Sequence, residues 1–321
     1  MAAPLPLSRH LIALVAIVAM SSLACSHHRT SPVSRLRVAV SIFPIYDLTR
    51  RIAGPDADVT LLLAPGRSEH TFDPTPKDVE TVASTELAVV VGLGLDPWMN
   101  KLVHDAAPRA RLLAVGEHVP TLVLHARPVE EEDSLSWLRR GHHEHEHGAV
   151  DPHVWLDPRR ARAIVAAIAR ELALIDASHA DAYRDRAAIV DASLAALDDE
   201  VEARTKRFRT RAFITFHGSF GYFADRYDLV VLAVLEPYPG SQPSGAYVRN
   251  VLHLVAEKNI DVLFREPQLD SRPAKILANE AHVALGVLDP IGGADATDSY
   301  EKMIRFNVVS LENYLGKEAF R

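Results

Sequence analysis

The sequence predicts an α/β fold of two lobes, each built on a doubly wound parallel sheet and joined by a single long helix. Three observations lead to this prediction. Short β-branched apolar segments alternate with helical segments in both halves of the chain, as in parallel sheets. A helical stretch over residues 178–207 separates the halves, with apolar residues spaced three and four apart. The length of 321 residues, 48% of them hydrophobic, is enough for two modest cores.

Composition excludes several other classes of protein. A single cysteine rules out an intramolecular disulfide and a cysteine-based zinc finger. A formal net charge of −7 argues against a nucleic-acid partner, because phosphate backbones attract basic surfaces. The unusual feature is the content of 16 histidines. Because imidazole is the commonest metal-binding side chain, the positions of these histidines guide the search for function.

The N-terminal segment is typical of an export signal. Residues 1–24 have a basic start, a short apolar run and small residues, which predicts a signal peptide. The run is shorter than the ~20 residues of a membrane-spanning helix. Cys25 follows at once, and Ser22–Cys25 is similar to a lipobox, with Ser22 where Leu is usual. We expect Cys25 to be acylated and to anchor the protein in membrane lipid through a flexible tether over residues 25–35. Ordinary cleavage after Ala24 is the alternative.

The first predicted lobe covers residues 36–177. Its strands are expected at residues 36–42, 59–63, 87–91 and 111–115. Its helices are expected over residues 45–53 and from Pro158 to about Ile175. A further helix is expected to begin at Pro76, with Thr75 as its N-cap. Residues 116–150 interrupt the alternation with an acidic and then a histidine-rich stretch, which predicts a long surface loop.

The stretch over residues 178–207 is expected to link the lobes. As a helix it spans roughly 45 Å at ~1.5 Å per residue, so it is either a rigid spine or a long surface helix. We favour the spine because α/β segments flank it on both sides. The second lobe is expected over residues 208–321. Its strands are predicted at residues 212–216, 229–234, 261–264 and 283–288, and its helices at 222–226, 244–258, 273–282 and 300–315.

Four potential metal ligands follow or end predicted strands, two in each half. They are His70, His153, His217 and Asp289. Ligands of open parallel sheets bind beyond the carboxyl ends of the strands, so these side chains are expected to meet in a cleft between the lobes. Three imidazoles and a carboxylate suit four-coordinate Zn²⁺ better than Mn²⁺, which prefers more oxygen. Glu69 is the alternative carboxylate.

A second group of histidines lies in the predicted loop. Residues 141–148 have a metal-binding composition with four histidines, namely His142, His143, His145 and His147. This segment is either an auxiliary zinc-collecting site or a solvated loop that binds metal incidentally. Outside the loop, Asp151 and Glu266 are candidates to orient the ligand imidazoles, whereas Asp157 is expected to cap a helix.

Several strings in the chain resemble a family, the zinc- and manganese-binding proteins that deliver metal to ABC importers. The resemblance runs from about Leu36 to the C-terminus. It is carried by SEHTFDPTPKDV around His70, GLGLDPW from Gly92, DPHVWLDP around His153, FHGSFGYFADRYDL around His217, QPSGAYVRNVLHLVAEKNIDVLFREPQ and LDPIGG. It implies two α/β lobes joined by one backbone helix, with His70, His153 and His217 as ligands and Asp289 as the fourth. A histidine at position 217 and a histidine-rich loop before the second ligand are typical of the zinc members.

The resemblance also implies a function. We expect an extracytoplasmic receptor, in the periplasm or at the cell surface, that captures Zn²⁺ and delivers it to an ABC permease. The protein is then a monomeric binding protein and not an enzyme. Three alternatives stay open: a manganese or iron receptor of the same family, a metal-dependent hydrolase, and a surface adhesin. A hydrolase needs an open coordination position for water, and the sequence predicts no helix that carries an HExxH motif.

Overall fold

The computed structural model describes residues 35–123, 150–236 and 243–316. The predicted signal peptide, Cys25, residues 25–34 of the tether and the histidine-rich residues 141–148 lie outside the described residues. From Leu36 onward the chain forms one compact unit. Within the described ranges, no helix has both the length and the apolar character needed to cross a membrane.

The first sheet is parallel and has the strand order β2-β1-β3-β4. Its strands are β1 (Leu36–Val40), β2 (Ala57–Leu61), β3 (Leu87–Val90) and β4 (Arg111–Ala114). Every residue of β3 is buried, as expected for a strand with helices on both faces. The connecting helices are α1 (Phe43–Ala53), α2 (Pro76–Ala83) and α3 (Pro97–Ala106).

The starts of two helices follow from local sequence. Helix α2 begins with the expected capping box, in which the Asp78 carboxylate accepts from the backbone N–H of Thr75 at 2.8 Å. Helix α3 is absent from the sequence prediction. The Asp96 carboxylate does not cap it, but accepts instead from the N–H groups of Val91 and Gly92, at 2.8 and 2.9 Å. This side chain therefore shapes the turn after β3.

The second sheet repeats the strand order of the first, as β6-β5-β7-β8, and is again parallel. Its strands are β5 (Ala212–His217), β6 (Val230–Glu236), β7 (Val262–Arg265) and β8 (Ala284–Val287). Two helices, α4 (Pro158–Ile175) and α5 (Ala180–Thr205), precede it. The helices of the second lobe are α6 (Gly221–Arg226), α7 (Gly245–Lys258), α8 (Ser271–Ala281) and α9 (Tyr300–Leu315). The predicted fold class of two parallel-sheet lobes and a long intervening helix is confirmed.

One hydrophobic core runs through both lobes. Each sheet has a smaller core on its outer face, around Met99 in the first lobe and Val251 in the second. The inner faces share a larger cluster, which joins β1 and β3 to α1, α4, α5 and α9 and extends to the aromatic residues of α6. The lobes are therefore held together by packed apolar surface as well as by chain connectivity.

Polar contacts reinforce this shared core. The Arg51 guanidinium on α1 donates to both oxygens of Glu301 on α9, at 2.9 and 3.0 Å. The Ser193 hydroxyl on α5 donates to the same carboxylate at 2.8 Å. The three helices thus meet at one half-buried ion pair, and such a joint restricts the large hinge motion that separate domains allow.

We predict that the described lobes unfold as one unit. The Leu194→Ala substitution on α5 removes a fully buried side chain from the shared core. The expected result is a loss of about 2–5 kcal/mol in the free energy of unfolding, in a single transition. The measurement is urea unfolding followed by both tryptophan fluorescence and far-UV circular dichroism. Ile189→Ala, on the exposed side of the same helix, is the control and changes stability by less than about 0.5 kcal/mol. Two separate transitions would contradict the shared core.

Candidate metal centre

Three predicted ligands come together. His217 is the last residue of β5, His153 directly precedes a short 3-10 turn that leads into α4, and His70 lies in the connection between β2 and α2. One nitrogen from each ring lies within 4.8 Å of the others. The ring centroids are 5.0 to 5.6 Å apart. The carboxyl ends of the strands thus bring donors from both lobes to one point, as parallel sheets do.

The buried ring nitrogens make this cluster a candidate metal site. His153 and His217 are each 2% exposed, and His70 is partly buried. The Nε2 atoms of His70 and His153 are buried and have no hydrogen-bond partner among the described residues. Buried polar atoms are nearly always paired, so two orphaned nitrogens directed at one small space call for an ion. Neutral imidazole nitrogens are good ligands for Zn²⁺.

Carboxylates hold two of the three rings by their Nδ1 atoms. Asp151 Oδ1 lies 2.8 Å from His153 Nδ1 and also accepts from the His153 backbone N–H at 2.9 Å. Both Glu266 oxygens lie 3.2 Å from His217 Nδ1. Occupation of Nδ1 fixes the ring orientation and leaves Nε2 for the metal. Asp151 and Glu266 therefore take the orienting positions that the sequence suggested, and Asp157 caps α4 by accepting from Arg159 N–H at 2.8 Å.

The sheet register explains the contact between Glu266 and His217. Strands β5 and β7 are parallel neighbours with Thr215 opposite Phe264. Two residues further along each strand, the same register places Glu266 beside His217. The Ser219 hydroxyl donates to the same carboxylate. Ser219 was missed from sequence, although its position two residues after His217 in the FHGSFGYF string was visible.

The site keeps one histidine neutral and favours a proton on another. Burial, with the neighbouring His153 and His217, lowers the pKa of His70 to about 3. Burial also disfavours charge on His217, but the adjacent Glu266 carboxylate outweighs it and raises the pKa of His217 above its ordinary value. Burial raises the pKa of the Glu69 carboxyl. His70 is thus neutral and ready to bind metal at neutral pH, whereas at His217, with its raised pKa, a metal ion competes more strongly with a proton.

The two predicted candidates for the fourth ligand have different surroundings. Asp289 Oδ1 accepts from Gln268 Nε2 at 2.7 Å and from the N–H groups of Gly292 and Ile291 at 2.8 and 3.2 Å. Neither Asp289 nor Glu69 is part of the group of ligand atoms that meet within 4.8 Å. Glu69 is 2% exposed, and its Oε1 lies 3.6 Å from His70 Nε2.

Aromatic side chains support the ligand segments. The Trp98 indole on α3 donates to the Glu69 carbonyl at 3.2 Å and packs on Phe72, with ring centroids 4.5 Å apart. The Trp155 indole donates to the carbonyl of Pro290 at 2.7 Å and its ring lies 5.3 Å from that of His153. These contacts fix the backbone next to His70 and pack a ring against His153.

The fold and the site together define a two-lobed metal-binding protein. Each lobe has a parallel sheet, and three imidazoles from the two lobes meet at one point. The chain matches the family described as zinc-uptake complex component A, periplasmic, over residues 38–314. The chain therefore belongs to this family. The sequence-based prediction of a metal receptor of the zinc type from an ABC importer is confirmed at the level of the family.

Three relatives illustrate the match. The zinc-binding protein AdcA of Streptococcus pyogenes serotype M3 is 27% identical over 295 residues, which cover 88% of this chain and 57% of that protein. The high-affinity zinc uptake system protein ZnuA of Brucella suis biovar 1 is 26% identical, over 87% of this chain and 92% of that protein. A crystal structure of ZnuA superposes with a TM-score of 0.75 at 26% identity, covering 88% of this chain and 99% of the other. The chain thus spans less than two thirds of the AdcA relative.

We predict that Glu266 controls the protonation of His217. In the metal-free protein, Glu266→Gln removes the charge that favours imidazolium, so the pKa of His217 falls. Proton NMR titration of the histidine C2–H signals measures this change. His70 is the internal control, because its pKa of about 3 keeps it neutral above pH 5 in both proteins. An unchanged or higher pKa for His217 in the variant would contradict this account of the site.

Proposed function

We propose that this protein is an extracytoplasmic receptor that captures Zn²⁺ between its two lobes and delivers it to an ABC permease. The observation that carries the proposal is the convergence of His70, His153 and His217, two of which direct unpaired, buried Nε2 atoms at one point. Membership of the zinc-uptake family supports the same cargo. The names of the two relatives, a zinc-binding protein and a zinc uptake protein, agree with it.

The donor set supports zinc over manganese. Three imidazole nitrogens suit tetrahedral Zn²⁺, whereas Mn²⁺ prefers sites with more oxygen ligands. The carboxylates Asp151 and Glu266 are engaged with the Nδ1 atoms of His153 and His217, so they orient ligands instead of replacing them. The alternative is a manganese receptor of the same family, and competition between Zn²⁺ and Mn²⁺ for the site distinguishes the two.

Capture, and not catalysis, is the chemistry that the site supports. A hydrolytic zinc site keeps one coordination position open for water and places a general base beside it. Here the buried Glu69 carboxylate lies 3.6 Å from His70 Nε2 and is available to close the fourth position. A closed four-coordinate site holds its ion without activating water.

For the fourth ligand, the sequence indicated Asp289 first and Glu69 as the alternative. The Asp289 carboxylate has its charge distributed over several hydrogen-bond donors, while burial raises the pKa of Glu69. A divalent cation stabilises a buried carboxylate that otherwise favours its protonated form. These contacts support Glu69 as the fourth ligand, with Asp289 as the competitor.

Three further proposals concern residues outside the described part of the chain. Cys25 is acylated after removal of residues 1–24 and anchors the protein through the tether over residues 25–35. The histidine-rich residues 141–148 are an auxiliary site that collects zinc for the buried cluster. The protein acts as a monomer that docks on its permease. The lipobox-like motif and the composition of the loop support the first two of these proposals.

We predict one tight zinc site per chain. Purified mature protein is expected to bind one Zn²⁺ that excess Mn²⁺ does not displace, as measured by metal analysis and chelator competition. His217→Ala is expected to weaken binding by more than the about 10- to 100-fold typical of changes around metal ligands. His253→Ala, an exposed histidine on α7, is the matched control and leaves affinity unchanged. Equal competition by Mn²⁺ would overturn the zinc assignment.

A second prediction separates the two candidate carboxylates. Glu69→Gln is expected to reduce zinc affinity by at least about tenfold, and Asp289→Asn by less, because only Glu69 adjoins a ligand nitrogen. Chelator competition at constant pH gives both affinities. The d–d spectrum of the Co²⁺-loaded protein reports whether a carboxylate oxygen has left the metal. A larger effect of Asp289→Asn would assign the fourth position to Asp289.

A further inference from the structure

Tyr222 joins the second lobe to the segment that carries His153. It lies on α6, five residues after His217, and its side chain is fully buried. The hydroxyl donates to the carbonyl of Asp151 at 2.7 Å and accepts from the backbone N–H of Leu122 at 2.9 Å. Burial raises the pKa of Tyr222 to about 12, so the hydroxyl keeps its proton and serves both contacts.

The same lobe also confines the side chain of Asp151. A Cβ atom at Gly221 would lie only 2.5 Å from Asp151 Oδ2, so the carboxylate occupies the space that the glycine leaves. The Asp151 backbone N–H donates to the carbonyl of Leu122 at 2.9 Å. Asp151 is thereby held at its carbonyl and its amide, and its Oδ2 lies against Gly221. The other oxygen, Oδ1, is directed at His153.

We propose that Tyr222 is a positioning residue of the metal centre, which fixes Asp151 and through it the His153 imidazole relative to His217. The inference rests on the proposed zinc-binding function of the three-histidine cluster. Tyr222 is not one of the proposed ligands. Its hydroxyl donates to the Asp151 carbonyl, and Asp151 Oδ1 accepts from the His153 backbone N–H and lies 2.8 Å from His153 Nδ1.

This arrangement couples ligands from different lobes. His217 ends β5 and Tyr222 lies in the first turn of α6, so only residues 218–220 connect the two elements and a shift of this connection moves both. The Arg160 guanidinium, from α4 of the first lobe, lies 4.6 Å from the centroid of the Tyr222 ring. It also donates to the Pro120 carbonyl at 2.9 Å. The tyrosine is therefore fixed between elements of the first lobe, and the distance from His153 to His217 is set before metal arrives.

The direct test is Tyr222→Phe, which removes the hydroxyl and keeps the buried ring. The expected result is a loss of about tenfold in zinc affinity, the lower end for residues that orient metal ligands. In the metal-free protein, the amide of Leu122 is expected to exchange with solvent faster, because it loses its acceptor. Hydrogen-exchange mass spectrometry or NMR measures this readout independently of metal.

Tyr227→Phe is the matched control. Tyr227 is also buried on the same stretch of chain, and its hydroxyl donates to the Asp198 carboxylate at 3.0 Å, away from the histidine cluster. This control is expected to lower thermal stability without changing zinc affinity. It separates the loss of one buried tyrosine hydroxyl from the loss of the link to Asp151.

A double-mutant cycle tests the route of the effect. Asp151→Asn alters the side chain that faces His153 and keeps the carbonyl that accepts from Tyr222. If Tyr222 acts through Asp151, the double variant loses less affinity than the product of the two single effects. Gly221→Ala, which displaces the Asp151 carboxylate while leaving the Tyr222 hydroxyl in place, provides a second variant and is expected to weaken binding in the same direction.

The outcomes are distinguishable. Zinc affinity of Tyr222→Phe within twofold of the wild type, with Asp151→Asn weakened, would overturn the positioning role and leave the proposed function standing. Fully multiplicative effects in the double-mutant cycle would also overturn it. A wild-type protein that binds no zinc would overturn the proposed function and this inference together.

Discussion

The whole site depends on holding three imidazole rings at one point inside the protein before any ion is present. Such an arrangement is unfavourable on its own, because buried nitrogens without partners lose their contacts with water. Carboxylates at the other nitrogen of two rings offset this free-energy cost. Asp151 fixes Nδ1 of His153, and Glu266 fixes Nδ1 of His217. These two residues are themselves held by hydrogen bonds. The Ser219 hydroxyl donates to the Glu266 carboxylate, and the Tyr222 hydroxyl donates to the Asp151 carbonyl.

The shared core provides the rigidity that this arrangement needs. Helices α1, α4, α5 and α9 pack between the two sheets, so the lobes are not free to separate. The ion pair of Arg51 with Glu301, with Ser193 as a third member, ties three of these helices at one point. Under the proposed function, we expect release of the ion to depend on displacement of local segments, such as the connection that carries His70, which has neither helix nor strand between β2 and α2.

Much of this architecture was predictable, because the signals were local. The strands were found within about three residues of their observed ends, since buried β-branched runs are distinctive. The three histidines were proposed as ligands from their places after predicted strands together with the family resemblance. The contacts that support them were not predictable, because they join residues far apart in sequence: Glu266 reaches His217 through the register of β5 and β7, and Tyr222 reaches Asp151 across 71 positions. Helix α3 was missed although Pro97 at its first position is a helix-start signal.

The packed core shared by the two lobes affects the heat capacity change on metal binding. Binding proteins that fold their domains around a ligand bury apolar surface as they do so, and their heat capacity falls accordingly. Here the lobes share one packed apolar core, so we expect metal uptake to leave the heat capacity almost unchanged. The enthalpy of uptake then reflects dehydration of the cation and the competition between metal and proton at His217, whose pKa Glu266 raises. Wherever the ion displaces a proton, that proton passes to the buffer, so the apparent heat of binding varies with the ionisation enthalpy of the buffer.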